Sequence, residues 1–252
     1  MTLGKWLTDR RLLTAPAIWG KLPGHADFVR HGVRRGEGAA WQAWLGREGA
    51  LQTSHGKRAA RIPISFIVPP GSLPFARRRF VLGAMLASHD RVGRPCPLVV
   101  YQIAHPQWTR AYLHALDRDE GWQTDWVFQL TRLLAGHFRL AEPRIEPLAH
   151  AVDAAWHDVA PSPHGALAVS RIQAHALSLA RLPRPANLRE PSTDASLPDP
   201  AADLQGTHFF PWTDWPDRLM RSAPKAVFWR QDAAGGFLDV GERLQALWKE
   251  DE

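Results

Sequence analysis

One cysteine, Cys96, is all that the 252-residue chain contains. An intramolecular disulfide and a cysteine-based zinc site are therefore excluded. No apolar run reaches about 18 residues, so no transmembrane helix is expected. Residues 1–17 contain Lys5, Asp9, Arg10 and Arg11 and have no clean apolar stretch before a cleavage site. A secretory signal is not expected either, and a cytoplasmic protein is the default reading. The chain has no G-x-S-x-G elbow, Walker loop, G-x-G-x-x-G, H-E-x-x-H or EF-hand loop. Lysine is scarce, with 5 against 26 arginines.

What is present is ordinary globular composition. Hydrophobic residues make up 45% and charged residues 22%, which argues against global disorder. The length allows one domain with an insertion or two small ones. The formal charge is +6 and the isoelectric point about 10.1. Such a value raises nucleic-acid binding as a question. The arginines are spread along the chain, however. The densest group is Arg77, Arg78 and Arg79, with a looser one at Arg30, Arg34 and Arg35, and neither is a run of five or six like charges. A solvated basic surface, suited to an acidic protein partner, is the better reading.

Apolar segments bounded by turn signals predict strands at 17–22, 62–68, 97–103 and 226–230. The run Phe80–Leu86 fits a strand or a buried helix. Helices are expected over 38–51, with Trp41, Trp44 and Leu45 on one stripe, around Trp108–Leu116, and from Trp122 to His137. Further helices are expected at 166–182 and 241–248. Residues 183–206 are rich in proline and poor in large apolar groups, which reads as a linker or long loop. Strands separated by loops and followed by paired helices suggest an antiparallel sheet with helices packed on it. The domain reading is an α/β core over 1–140, a helical extension over 141–182, the linker over 183–206, and a segment at 207–252 that returns to the core.

Chemistry-bearing residues are few. Twelve histidines form no known ligand spacing. The pairs His25/Asp27 and His89/Asp90 would each need ligands from elsewhere to bind a metal. Cys96, between Pro95 and Pro97, reads as a buried, inert thiol. His31 reads as a surface residue. Most of the twelve tryptophans sit in apolar segments and read as core. Trp212 and Trp215, after the linker and without helical continuation, are either a cap over the core or an interface anchor. Asp27 and Asp90 lie in polar turns beside apolar strands. Each carboxylate either accepts backbone N–H bonds and fixes its turn, or joins Arg91 and Arg94 in a shared polar cluster through directional carboxylate–guanidinium pairing.

Four stretches carry a resemblance: Trp19-Gly-Lys-Leu-Pro-Gly-His-Ala-Asp-Phe-Val29, Trp41-Gln-Ala-Trp-Leu45, Ser88-His-Asp-Arg-Val-Gly-Arg-Pro-Cys-Pro-Leu98, and Ala223-Pro-Lys-Ala-Val-Phe-Trp229 followed by Gly235-Gly236. Together they resemble the TagF (ImpM) family of accessory proteins of bacterial type VI secretion systems. Ala26 stands where the family has a glycine before the aspartate, and Gln42 stands where an acidic residue is common. The resemblance implies a three-layer α/β/α sandwich around a mostly antiparallel sheet, like longin or profilin domains. It also implies a cytoplasmic, non-enzymatic repressor that acts after translation. No cofactor is implied. The implied partner is the forkhead-associated (Fha) scaffold protein of the system, with membrane-complex subunits as a further one; nucleic acid and membrane insertion are not implied. Two other classes stay open on the residues alone. One is a metal-dependent enzyme using Asp27, Asp90 and a histidine. The other is a nucleic-acid binder using Arg77 to Arg79. Candidate interface residues are Trp212, Trp215, Arg77 and Arg78.

Overall fold

In the computed structural model, residues 12–51, 62–117, 126–159, 215–231 and 237–248 are described. Seven strands form one open sheet: β1 Ala17–Gly20, β2 Val29–His31, β3 Ile64–Val68, β4 Phe80–Leu86, β5 Leu98–Ala104, β6 Val227–Gln231 and β7 Phe237–Gly241. Their order is β2-β1-β5-β4-β3-β6-β7. Each adjacent pair is antiparallel. β2 and β7 were not among the expected strands, because three to five residues with mixed polarity carry no readable period.

The ambiguity of Phe80–Leu86 has a physical origin. β3, β4 and β5 are buried at every position, because helices cover both faces of the sheet. A strand covered on both sides has no need to alternate apolar with polar residues. Successive side chains still go to opposite faces. Ile18, Leu82, Ala84, Leu86, Leu98 and Val100 meet Trp108, Leu130, Leu134, Leu148 and Val152 on one side. Trp19, Phe66, Val81, Met85, Val99 and Tyr101 meet Trp41, Trp44, Leu45, Leu244 and Trp248 on the other. The expected three-layer architecture around an antiparallel sheet is thus what the chain forms.

The first layer uses α2 Pro106–Asp117, α3 Trp126–His137 and α4 Ile145–Val159; the second uses α1 Glu37–Arg47 and α6 Leu244–Trp248. α1 stops four residues short of the expected end. There the chain folds back, and Ala50 N donates to the Leu45 carbonyl at 3.0 Å. A short helix, α5 Trp215–Met220, begins at Trp215, which therefore does have the helical continuation that was not expected. α6 begins at Leu244 because Gly241 ends β7. β6 joins the sheet beside β3, so the C-terminal part of the chain contributes two strands. The expected helix at 166–182 and the linker at 183–206 lie outside the described residues.

All eight tryptophans whose side chains are described are buried: Trp19, Trp41, Trp44, Trp108, Trp126, Trp156, Trp229 and Trp248. Aromatics pack edge-on around Trp41, with Trp44 at 5.6 Å, Phe66 at 5.8 Å and Tyr101 at 5.2 Å between ring centroids. Such contacts add to what area burial alone supplies. Buried polar groups in the sheet find one another. Gln102 accepts from Trp126 Nε1 and donates to the Thr14 carbonyl at 2.7 Å.

Gly20 closes β1 where it runs beside β5. Its φ is +140°, and a Cβ there would stand 2.1 Å from the Pro97 carbonyl oxygen. Gly20→Ala is therefore expected to cost about 3 kcal/mol through strain and overlap. A thermal melt should show this as a fall of roughly 6–12 °C.

His137, at the end of α3, is buried. Burial pushes its imidazole down from 6.5 to about 4, with a backbone hydrogen bond to Arg144 acting the other way. Between those values the unfolded chain takes up a proton that the folded chain refuses, so stability falls as pH drops from 6.5 toward 4. Denaturation midpoints measured across that window should slope less for His137→Gln than for the natural chain.

Candidate functional site

The turn that joins β4 to β5 is organised by one carboxylate. Asp90 has no exposed side-chain surface. A carboxylate in such a place must be fully hydrogen-bonded and matched by positive charge. Its Oδ1 accepts from Val92 N at 3.1 Å and Arg94 N at 2.9 Å. Its Oδ2 lies 2.6 Å from Arg94 Nε and 3.0 Å from Lys21 Nζ. Gly93 N donates to the Asp90 carbonyl at 2.9 Å, and Asp90 N to the Arg94 carbonyl at 3.1 Å. Gly93 has φ +84°, a conformation that glycine adopts without a Cβ penalty.

The same residues bind a second turn, the one between β1 and β2. Arg94 Nη2 donates to the Ala26 carbonyl at 2.8 Å. Arg91 N donates to the His25 carbonyl at 2.8 Å. Ser88 Oγ donates to the Lys21 carbonyl at 2.6 Å. Lys21 also lies over the Phe28 ring, 5.2 Å from its centre, and Phe28 stacks on Trp19 at 5.0 Å. A third segment closes the group: His25 Nε2 accepts from Ile145 N at 3.2 Å, at the start of α4.

Burial would by itself raise the Asp90 carboxyl. Hydrogen bonds from Lys21 and from the Arg94 backbone and side chain, together with the Lys21 charge, overcome it and hold the group well below the usual carboxylate range. Cys96, just beyond the turn, is pushed up to about 12 by burial, against the nearby Lys21 charge. It is a thiol with no nucleophilic character at neutral pH.

Two of the expected cluster residues, Asp90 and Arg94, pair directly. Arg91 joins through its backbone, while its side chain is exposed. Asp27 does not join. It is exposed, and its Oδ1 accepts from its neighbour Phe28 N at 2.7 Å. The second cation opposite Asp90, beside Arg94, is Lys21, which the sequence reading missed. Its signal was available, since a lysine inside an apolar strand segment needs a carboxylate partner when buried. His31 is half-buried and pairs with Asp153 at 2.9 Å, so it ties β2 to α4.

Arg77 and Arg78 are exposed beyond the short 3₁₀ turn Pro74–Ala76. They stand at the start of β4, whereas Asp90 follows its end, so the seven-residue strand puts roughly 20 Å between the two places. Trp212 lies outside the described residues, and Trp215 is placed only as the first residue of α5. Among the described residues no group of three or more histidine, cysteine, aspartate or glutamate side chains gathers in a way that would hold a metal ion. No helix among them is long and apolar enough to cross a membrane.

A family model described as the TagF N-terminal domain, type VI secretion system-associated, matches residues 17–144. That span contains both turns and ends one residue before α4. The crystal structure of PA0076 from Pseudomonas aeruginosa PAO1 is similar at 22% identity, over 92% of this chain and 92% of that one, with a TM-score of 0.48. No curated protein matches.

Asp90→Ala removes the acceptor of two backbone N–H groups and leaves Lys21 without its carboxylate. It is expected to lower the melting temperature at neutral pH by roughly 5 °C or more. Because the folded carboxyl is held below its ordinary value of 3.8, its contribution is complete above that pH and is lost as pH falls further. The gap between the natural chain and Asp90→Ala should therefore narrow in acid. Melts recorded from pH 7 down to pH 2 check this.

Proposed function

The chain belongs to the type VI secretion system-associated TagF family, and on that premise we propose that it is a cytoplasmic, non-enzymatic repressor. It acts after translation by holding the Fha scaffold protein of the system, so that assembly does not proceed. The observation that carries this reading is how the Asp90 site uses its groups. A catalytic or metal-binding carboxylate needs a free oxygen facing its substrate or ion. Both Asp90 oxygens are instead taken by Lys21, Arg94 and two backbone N–H groups. Asp27, the other acid of a metal-dependent alternative, stands outside this cluster and is bonded to Phe28 N. Beside this cluster the side chains of Arg91 and Arg94 are exposed. A rigid, basic surface of this kind suits recognition of an acidic protein.

Nucleic-acid binding through Arg77 and Arg78 is the weaker reading. Those side chains are exposed, but the described tryptophans that would stack on bases are buried.

In a type VI-active strain, deleting this protein should raise effector export, and overproducing it should lower export with the Fha scaffold co-purifying. Unchanged export in both strains, with no scaffold recovered, would contradict the proposal.

A further inference from the structure

We propose that the turn tip at 90–94 is the part of this chain that enters the partner, and that the partner offers an apolar socket ringed by acidic groups. This inference deepens the functional reading above and rests on it, because it takes the scaffold as the occupant.

Among the described residues, only Val92 and Val240 are large apolar side chains with substantial exposure, and Val92 is the more open at 67% against 41%. A lone exposed valine is common and carries no message by itself. Three features distinguish Val92.

The first is rigidity. Its own N–H is bonded to Asp90 Oδ1. The residues on either side are fixed as well, Arg91 through its N–H to the His25 carbonyl and Gly93 through its N–H to the Asp90 carbonyl. A tip already held in one shape loses little freedom on binding. The second is charge. Arg91 and Arg94 flank Val92, and the Arg94 side chain is 60% exposed although its Nε is bound to Asp90. The one carboxylate inside the turn is buried and neutralised; the nearby exposed acid is Asp27 in the adjoining turn. Val240 has the opposite setting, beside Asp239, whose carboxylate faces Arg230 at 3.6 Å. The third is chemistry. Arginine is among the residues that interface hot spots favour, and the exposed valine beside it gives a partner apolar surface to cover.

The fold also explains why a buried ion cluster stands at this place. Lys21, Asp90 and Arg94 do not gain much stability over an apolar replacement of the same volume. What they do give is a fixed direction for a turn that projects from the sheet. Fixed direction is useful when the turn has something to meet.

The test uses the complete chain and the purified Fha scaffold protein, with affinity measured by titration calorimetry. The variants are Val92→Asp together with Arg91→Glu, and, as a control at the far end of β4, Arg77→Glu together with Arg78→Glu. Neither pair touches the Asp90 bonds made by side chains, and unchanged melting temperatures confirm folding. The expected result is that the natural chain binds, the tip variant binds at least about tenfold more weakly, and the control binds as the natural chain does. If the natural chain binds and the tip variant matches it, the docking inference is wrong while the functional reading stands. If the natural chain does not bind at all, the functional reading fails and this inference falls with it.

Discussion

Asp90 is a carboxylate with no access to water, and its surroundings must therefore do what solvent does elsewhere. Lys21 comes from just beyond β1, Arg94 from the far side of the turn that holds Asp90, and two backbone N–H groups from that turn itself. Satisfying one buried charge thus fixes two loops against each other. The 22–28 turn and the 88–95 turn could not sit side by side in the same way if this acid were absent. Around this clamp the rest follows in order. The Ser88 hydroxyl and the Arg91 N–H donate to backbone carbonyls of the first turn, Phe28 covers the Lys21 ammonium, and His25 reaches the first residue of α4.

The clamp stands at one end of the sheet, in the turn after β4. β4 and β5 are apolar throughout and pair over seven residues, and helices seal both faces. The sheet supplies the stability. The clamp supplies direction, by setting how the connecting turns leave the sheet. That division of labour fits a family whose described role is association with a secretion machine. It also accounts for charges buried where apolar groups would pack as well.

Much of this was legible in the residues. The apolar runs at 17–22, 62–68 and 97–103 gave three strands of the sheet, and the stripe of Trp41, Trp44 and Leu45 gave α1. The motif that holds Asp90 and Arg94 was visible as a polar turn between apolar segments. Other parts were not legible for identifiable reasons. Phe80–Leu86 is covered on both faces, so its sequence lost the alternation that marks a strand. β2 and β7 are too short for a period to show. Asp27 and Asp90 looked equivalent in sequence, each an acid in a tight turn. Only the fold shows that one is buried beside Lys21 and the other faces water. Lys21 was passed over because a lone lysine closing an apolar stretch reads first as exposed, although its burial there calls for a carboxylate partner.

The claim on which the account turns is that Asp90 stays ionised inside the protein because Lys21 and Arg94 hold it so. A carbon-13 NMR titration of the aspartate side-chain carboxyls in the folded protein measures this residue by residue. The account predicts that the Asp90 signal still reports a carboxylate well below 3.8, its ordinary value. An Asp90 signal that titrates at that ordinary value or above it would contradict the account.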